Sequence, residues 1–466
     1  MKKIIPFLLL FISTPNIANT IIPVAGSDLQ ITIYNNNRAF INDTRSVNVN
    51  QGKQKLVYEG VPSSVVTQSV VPSFSGVNTK LYSQNYVYDL ISLDSMLKNS
   101  IDQEVSYYTN GENPMLQQGK ILSTSPNVML RNEDGLITTL EKPTQVLFNK
   151  VPKNMITKPS LVWNTETQEA GKLDIDLKYL TNNIGWSSDY VLNLKPSNFD
   201  LKGWITVNNN SGVAYENAKI SVIAGELNTA SKPRYLNRNK VQSMEIAMAD
   251  QVAQESFSGY HLYQIPFRET IDNKSQKQIA FIDKNQINYQ QYGKAHNSHF
   301  GNYSGEQKLK FANTIEFTNS KDNNMGIALP AGIVRMYKKS TNGQTHFIGE
   351  SRINNTPENE NVKLTVGTLF DVVGEKRISK HQENKELKQV ETTYTLRNQG
   401  NQAVELRLEE RIPTYGKDIK LSSSCGSICS VEKKTAFVRE FKVRLAAKES
   451  YNFTSNFEVY FKKNWF

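Results

Sequence analysis

In the stretch GKLDIDLKYL, Leu173, Ile175, Leu177 and Tyr179 alternate with Lys172, Asp174, Asp176 and Lys178. Successive side chains of an extended chain point to opposite faces, so this period of two predicts a strand with one face buried and one in water. The next stretch, NIGWSSDYVLNL, keeps the period. Ile184, Trp186, Ser188, Tyr190, Leu192 and Leu194 share one face; Gly185, Ser187, Asp189, Val191 and Asn193 share the other. Its two rings therefore point inward together, and Asp189 is expected on the solvated face. Asn182-Asn183 and Gly185 supply the turn or bulge between the two strands. In LKGWITVN, Leu201, Gly203, Ile205 and Val207 face one way, while Trp204 alternates outward with Lys202 and Thr206. The rhythm returns in KISVIAG, VETTYTLRN, AVELRLEE, FVREFKVRL and YNFTSNFEVYF. Many short strands separated by Asn/Gly/Ser turns predict β-sandwiches. Residues 208–212 read as such a loop, and Leu329-Pro330-Ala331-Gly332 as a type I turn.

The expected fold is mainly β: small N-terminal β or barrel-like modules with one short helix, then two antiparallel, Ig-like sandwich units. The N-terminal β-rich domain is placed at 21–155. It opens with LQITIY and a strand pair around SVNVNQGKQKLVYEG. A helix starts at the N-cap Ser92, with Leu93, Met96, Leu97 and Ile101 on one face. VMLRNEDGLITTL is a hairpin turning at Asp134-Gly135, inside a barrel-like module at about 100–155. The first sandwich is placed at 160–375 and the C-terminal one at 376–466. Two interruptions are expected in the first. One is a helical or mobile insertion at 229–260, where Val241, Met244, Met248 and Val252 recur at three and four; the other is a polar loop at 282–305.

Composition changes the picture at the N-terminus. Across 466 residues, charged residues are 21% and hydrophobic ones 38%, an ordinary globular composition. Lys2 and Lys3 precede an apolar run over 4–12, and residues 1–20 read as a secretory signal cut after Ala18 or Thr20. The run is too short to cross a bilayer core of ~30 Å, and no later segment reaches the ~20 apolar residues of a membrane helix. A periplasmic or extracellular location follows as an expectation. Export favours oxidation, so Cys425 and Cys429 in SSSCGSICSV are expected to form a local disulfide pinning a turn. The net charge of +10 is spread among Asn, Gln and acids. No basic block interleaves with aromatics, so nucleic acid is not expected as a partner.

Candidate chemistry is sparse. Of His261, His296, His299, His346 and His381, only the HNSH pair is close in sequence, and these read as surface loop histidines rather than metal ligands. HExxH, GxGxxG, GxSxG and the phosphate-cradling G-x-x-x-x-G-K motif are absent. Ser95-x-x-Lys98 resembles a serine-nucleophile motif, but Ser430-x-x-Lys433 matches equally, and Ser95 reads as a helix N-terminal residue. No catalytic residue, metal or cofactor is expected. Trp204, facing outward, is the candidate for stacking on a ligand.

The blocks IGWSSDYVLNL, LKGWITVNNNSGVAYENAKISVIAGELN, IEFTNSKDNNMGIALPAGIVRMYKK, HFIGES, VGTLFDVVGEKR and YTLRNQGNQAVELRLEERIP resemble the shared region of mucoidy-inhibitor-A-like envelope proteins. The likeness covers roughly 160–461, and ITIYNNNRAFIND with LVYEGVP resembles that family's N-terminal strand domain. The long coiled coil of many relatives is missing here. The resemblance implies an envelope protein whose shared region is a domain of unknown function. The expected function is a non-enzymatic binding module for an envelope protein or polysaccharide. Two alternatives stand beside it: a cell-wall or polysaccharide hydrolase with loop carboxylates, and an assembly scaffold working by strand addition.

Overall fold

A computed structural model describes residues 19–24, 28–88, 91–109, 114–140, 145–152, 155–225, 253–257, 259–298, 305–412 and 418–461. The protein is mainly β, as the alternation predicts. Asp28–Tyr34 pairs with Arg38–Val49, and Gly171–Asn182 pairs with the other side of Arg38–Val49 from Gly171↔Val49 to Asn182↔Arg38. Tyr215–Ala224 joins Asp28–Tyr34 in parallel, followed by Tyr260–Ile271 and Ala253–Phe257. With Val71–Ser75 at its other edge, this is a seven-stranded sheet.

One end of that sheet packs on a four-stranded sheet ordered Asn19–Ile22, Gly52–Glu59, Ser160–Thr167, Thr79–Val87. Trp163 fills this interface, its ring centroid 5.4 Å from Tyr58 and 5.7 Å from Phe74. The other end packs on a five-stranded sheet ordered Ser275–Asn288, Asn198–Asn209, Ile184–Leu194, Gly332–Lys339, Thr345–Ile353. There Trp186 lies 6.4 Å from Tyr263, and Tyr263 meets Phe281 edge-on at 6.1 Å. One continuous hydrophobic cluster runs from Ile22 to Leu364. Strands on both sides of the boundary expected between 155 and 160 share sheets and core. Alternation marks which face of a strand is buried; it does not mark which strand lies beside it.

Strands on both sides of the boundary expected at 375/376 likewise share sheets. A six-stranded sheet ordered Asn361–Thr368, Ala312–Thr318, Gln290–Ser298, Val404–Arg411, Val438–Leu445, Cys429–Thr435 packs on a five-stranded one. The latter is ordered Glu306–Leu309, Val372–Glu383, Leu387–Asn398, Ser450–Tyr460, Asp418–Ser423. Their shared core holds Tyr394, Phe441 and Phe453, with ring centroids 5.0 to 6.4 Å apart. The polar loop expected at 282–305 is strand through Ser298, and residues 299–304 lie outside the described residues. Ile282, Ile287, Tyr292, Ala295 and Asn297 are buried. Register shifts against Asn198–Asn209 and a left-handed Gln286 (φ 57°) break the clean period, which hides these strands in the sequence.

The sheets are mixed rather than purely antiparallel. Ile184–Leu194 pairs in parallel with Gly332–Lys339, and Gln290–Ser298 with Val404–Arg411. The module after Thr79–Val87 is an open five-stranded sheet, Ile137–Leu140, Val128–Asn132, Leu116–Ser123, Glu104–Tyr108, Val146–Phe148, and not a barrel. Its end strands have four and three residues, too little backbone for closure. The 128–140 hairpin forms as expected. The helix Leu93–Asn99 starts at Ser92 in a reciprocal capping box with Ser95, and buries Met96 and Leu97. Leu93 and Ile101, expected on the same face, are exposed.

Leu329-Pro330-Ala331-Gly332 is not a free turn. Leu329 bridges Thr356, and the Pro330 carbonyl accepts hydrogen bonds from the hydroxyls of Tyr190 (2.7 Å) and Ser188 (3.3 Å). Most of the insertion expected at 229–260, including Val241, Met244, Met248 and Val252, lies outside the described residues; its end, Ala253–Phe257, is a strand. Residues 1–18 of the expected signal also lie outside them, while Asn19 and Thr20 belong to the strand Asn19–Ile22.

Candidate functional site

The inward face of Ile184–Leu194 is a sheet core: Ile184, Trp186, Ser188, Tyr190, Leu192 and Leu194 are all buried. The indole nitrogen of Trp186 donates to the Ile223 carbonyl at 3.1 Å. Burial pushes the Tyr190 phenol far above its ordinary range, so it stays protonated and serves as a donor. These rings are packing, as the alternation predicts.

The outer face of the same sheet differs. Trp204 sits on it half-buried, opposite Asp189 on one neighbouring strand and Ala280 on the other. Trp163 and Trp186 are core residues, so among the described tryptophans Trp204 alone turns a face to solvent. Asp189 is not a freely solvated acid, contrary to expectation. It accepts from Arg335 Nη1 at 2.9 Å and from the Thr206 hydroxyl at 2.9 Å. Thr206, which faces outward as expected, is covered there, with Gln278 donating to its hydroxyl at 3.3 Å. Arg335 also approaches Glu350, at 3.7 Å. Two positions along from Arg335, Tyr337 packs edge-on against Phe347, centroids 5.7 Å apart, and Phe347 is 56% exposed.

Strand geometry gives the scale. Tyr337 lies two strands across and four residues along from Trp204, roughly 16 Å at standard strand spacing and rise. An aromatic surface at each end and a clamped Asp189–Arg335 pair between them make a flat platform that offers both stacking and directional hydrogen bonds. Arg335, Tyr337 and Phe347 were not legible as site residues from sequence. Alternation in GIVRMYKK puts Arg335 and Tyr337 on one face, but only the parallel pairing with Ile184–Leu194 carries them to Trp204.

A concavity of about 320 Å³ opens between this sheet and the six-stranded one. Gln291, Asn313, Lys338 and Thr368 are its polar lining, so it presents no carboxylate. Ser95, from the Ser95-x-x-Lys98 motif, spends its hydroxyl on the backbone nitrogen of Ser92 at 2.9 Å, and Lys98 pairs with Asp94. His296 is on a strand, 3.4 Å from Glu409, rather than in a loop; its HNSH partner His299 lies outside the described residues. Among the described residues no group of three His, Cys, Asp or Glu side chains is arranged to hold a metal ion. Cys425 and Cys429 stand at disulfide distance with Cα atoms 5.2 Å apart. They close the crossing from Asp418–Ser423 in one C-terminal sheet to Cys429–Thr435 in the other.

The model of a family described as "Domain of unknown function (DUF4139)" matches residues 175–463. The chain belongs to the DUF4139 family. The match starts inside the strand Gly171–Asn182, so the DUF4139 region includes Trp204, Asp189, Arg335, Tyr337 and Phe347 but not the strands Asp28–Tyr34 and Arg38–Val49 that complete its first sheet. No curated protein matches the sequence. No helix among the described residues is long and apolar enough to cross a membrane.

Proposed function

We propose that the protein is an exported, non-enzymatic binding module of the cell envelope, similar to mucoidy-inhibitor-like proteins, and that it holds an envelope polysaccharide on the outer face of the sheet centred on Trp204. The observation that carries this reading is the half-buried Trp204 beside the Asp189–Arg335 pair, with Tyr337 and Phe347 at the far end. A pyranose ring has an apolar face for stacking and equatorial hydroxyls for carboxylate and guanidinium partners. A platform of roughly 16 Å spans several such rings. The pairing of Asp189 with Arg335 and Thr206 favours binding over acid-base chemistry, since the carboxylate is committed to fixed donors. The export signal expected at 1–20 would place this face in the periplasm or outside the cell.

The test is cosedimentation of the full chain with purified peptidoglycan sacculi and, separately, with purified surface polysaccharide. Binding to one of them is expected, weakened about 10-fold or more by Trp204→Ala, in line with the truncation of an aromatic anchor. Equal binding by Trp204→Ala, with its melting temperature unchanged, would remove Trp204 from the site. Cleavage of the glycan by the wild-type chain would overturn the non-enzymatic reading.

A further inference from the structure

Between the two C-terminal sheets, a chain of polar side chains crosses an otherwise apolar core. Asn297 points inward from Gln290–Ser298 in the six-stranded sheet and is 1% exposed. Lys376 reaches in from Val372–Glu383 of the opposite sheet, and its Nζ donates to Asn297 Oδ1. Asn297 Nδ2 donates to the Tyr394 hydroxyl at 2.5 Å, and that hydroxyl donates to Glu410 Oε1 at 2.7 Å. Glu410, fully buried, is fixed by Arg439 Nε at 2.5 Å and by the Ser455 hydroxyl at 2.7 and 2.8 Å. Tyr394 is itself locked between Phe441 and Phe453. A half-buried amine, a buried carboxamide and a buried hydroxyl backed by a carboxylate thus meet in one place, joined across two sheets.

We propose that Lys376 and Asn297 form an intramolecular isopeptide bond that ties the two C-terminal sheets together. The neutral Nζ attacks Cγ of Asn297, the Cγ–Nδ2 bond breaks, and Nδ2 leaves as ammonia. One proton passes from Nζ to the departing nitrogen, and the Tyr394 hydroxyl, bonded to Nδ2 and to Glu410, is placed at the receiving end of that transfer. Written from the ammonium form, the products are the Nζ–Cγ amide and an ammonium ion, so no oxidant, reductant or other reactant is needed. Three features favour the step. Asn297 is held by hydrogen bonds on both its oxygen and its nitrogen, which fixes Cγ for attack. Burial lowers the Lys376 pKa, opposed by the Glu410 carboxylate, which raises the share of reactive amine. Burial, then the Glu410 charge, push the Tyr394 phenol well above its ordinary range, so its proton is present to be relayed. The geometry differs from an ordinary lysine ion pair in that Nζ meets a carboxamide, whose carbon is open to substitution, rather than a carboxylate.

The test is the intact mass of the reduced, denatured full chain, followed by a peptide map. The expected result is a mass lower than the sequence by one ammonia, and a branched peptide linking the segment holding Asn297 to the segment holding Lys376. The branch separates this bond from a cyclic imide at some other asparagine, which also loses ammonia. Asn297→Ala is expected to restore the full mass. Recovery of Asn297 and Lys376 in separate linear peptides from the wild-type chain would overturn the proposal, and that readout does not depend on any variant folding.

Discussion

At the scale of single residues, position relative to water decides what each polar group does. Asp189 and Glu410 are both carboxylates on strands, yet Asp189 lies on an outer face, where its side chain is 20% exposed, while Glu410 is sealed in a core. A buried charge costs far more when its partner is removed than when both partners are replaced by apolar groups. Glu410→Gln, which leaves Arg439 buried beside a neutral amide, is therefore expected to lower stability by about 3 kcal/mol or more. Replacing Glu410 and Arg439 together by Met should cost much less than the sum of the single changes. Chemical denaturation of Glu410→Met, Arg439→Met and the double variant checks this, and additivity would show that the two charges do not act as a pair. The sequence showed Glu410 and Arg439 as ordinary charges in alternating strands. Their inward direction follows from the period, but the existence of a partner across the sandwich does not.

Two elements carry consequences of their own. The strand Asn19–Ile22 pairs in parallel with Gly52–Glu59 starting at Asn19↔Lys55. It buries Ile22 completely and gives the Thr20 hydroxyl to Gln54 at 3.1 Å. Arg45, paired with Asp43, holds the next carbonyl, that of Pro23, at 3.3 Å. Cleavage after Ala18 would leave this strand whole, whereas cleavage after Thr20 would remove half of its register. Under the proposed export, the mature chain is expected to begin at Asn19; N-terminal sequencing that finds Ile21 would refute this. The second element is the crossing closed by Cys425 and Cys429. Its short ring limits the entropy removed from the unfolded chain, so the Cys425→Ser/Cys429→Ser double variant is expected to lose about 2 kcal/mol, read as a lower denaturation midpoint. An unchanged midpoint would mean that the sheets hold this crossing without help. The helix at Ser92 and the 128–140 hairpin were both readable in advance, because caps and two-strand turns are written in a few adjacent residues.

For the whole molecule, strand order governs what can be cut. Val87 and Ser160 are direct register partners at the ends of Thr79–Val87 and Ser160–Thr167, so the open five-stranded module between them is an insertion at a hairpin end. Deleting 89–157 and joining Tyr88 to Lys158 through an Asn-Gly pair is expected to leave the remaining sheets folded, with a single cooperative melt. Loss of cooperativity would show that the module supports the core. Residues 160–466 alone should fail to fold, since Gly171–Asn182 and Tyr215–Ala224 would lose Arg38–Val49 and Asp28–Tyr34 as neighbours. That would expose the buried row of Leu173, Ile175 and Leu177. Strands on the two sides of 155/160 depend on one another in this way, because they are neighbours in the same sheets.

By itself the sequence determined the β architecture, the inward placing of Trp186 and Tyr190, the outward placing of Trp204 and the cysteine pair. Each of these is local: period two sets the face, and four residues set the turn. The tertiary structure decided which strands lie side by side. Asp189 meets Arg335 across 146 residues of chain, and Asn297 meets Lys376 across 79. Pairing over such distances is chosen by the burial of whole faces against one another, so no short stretch of residues contains it.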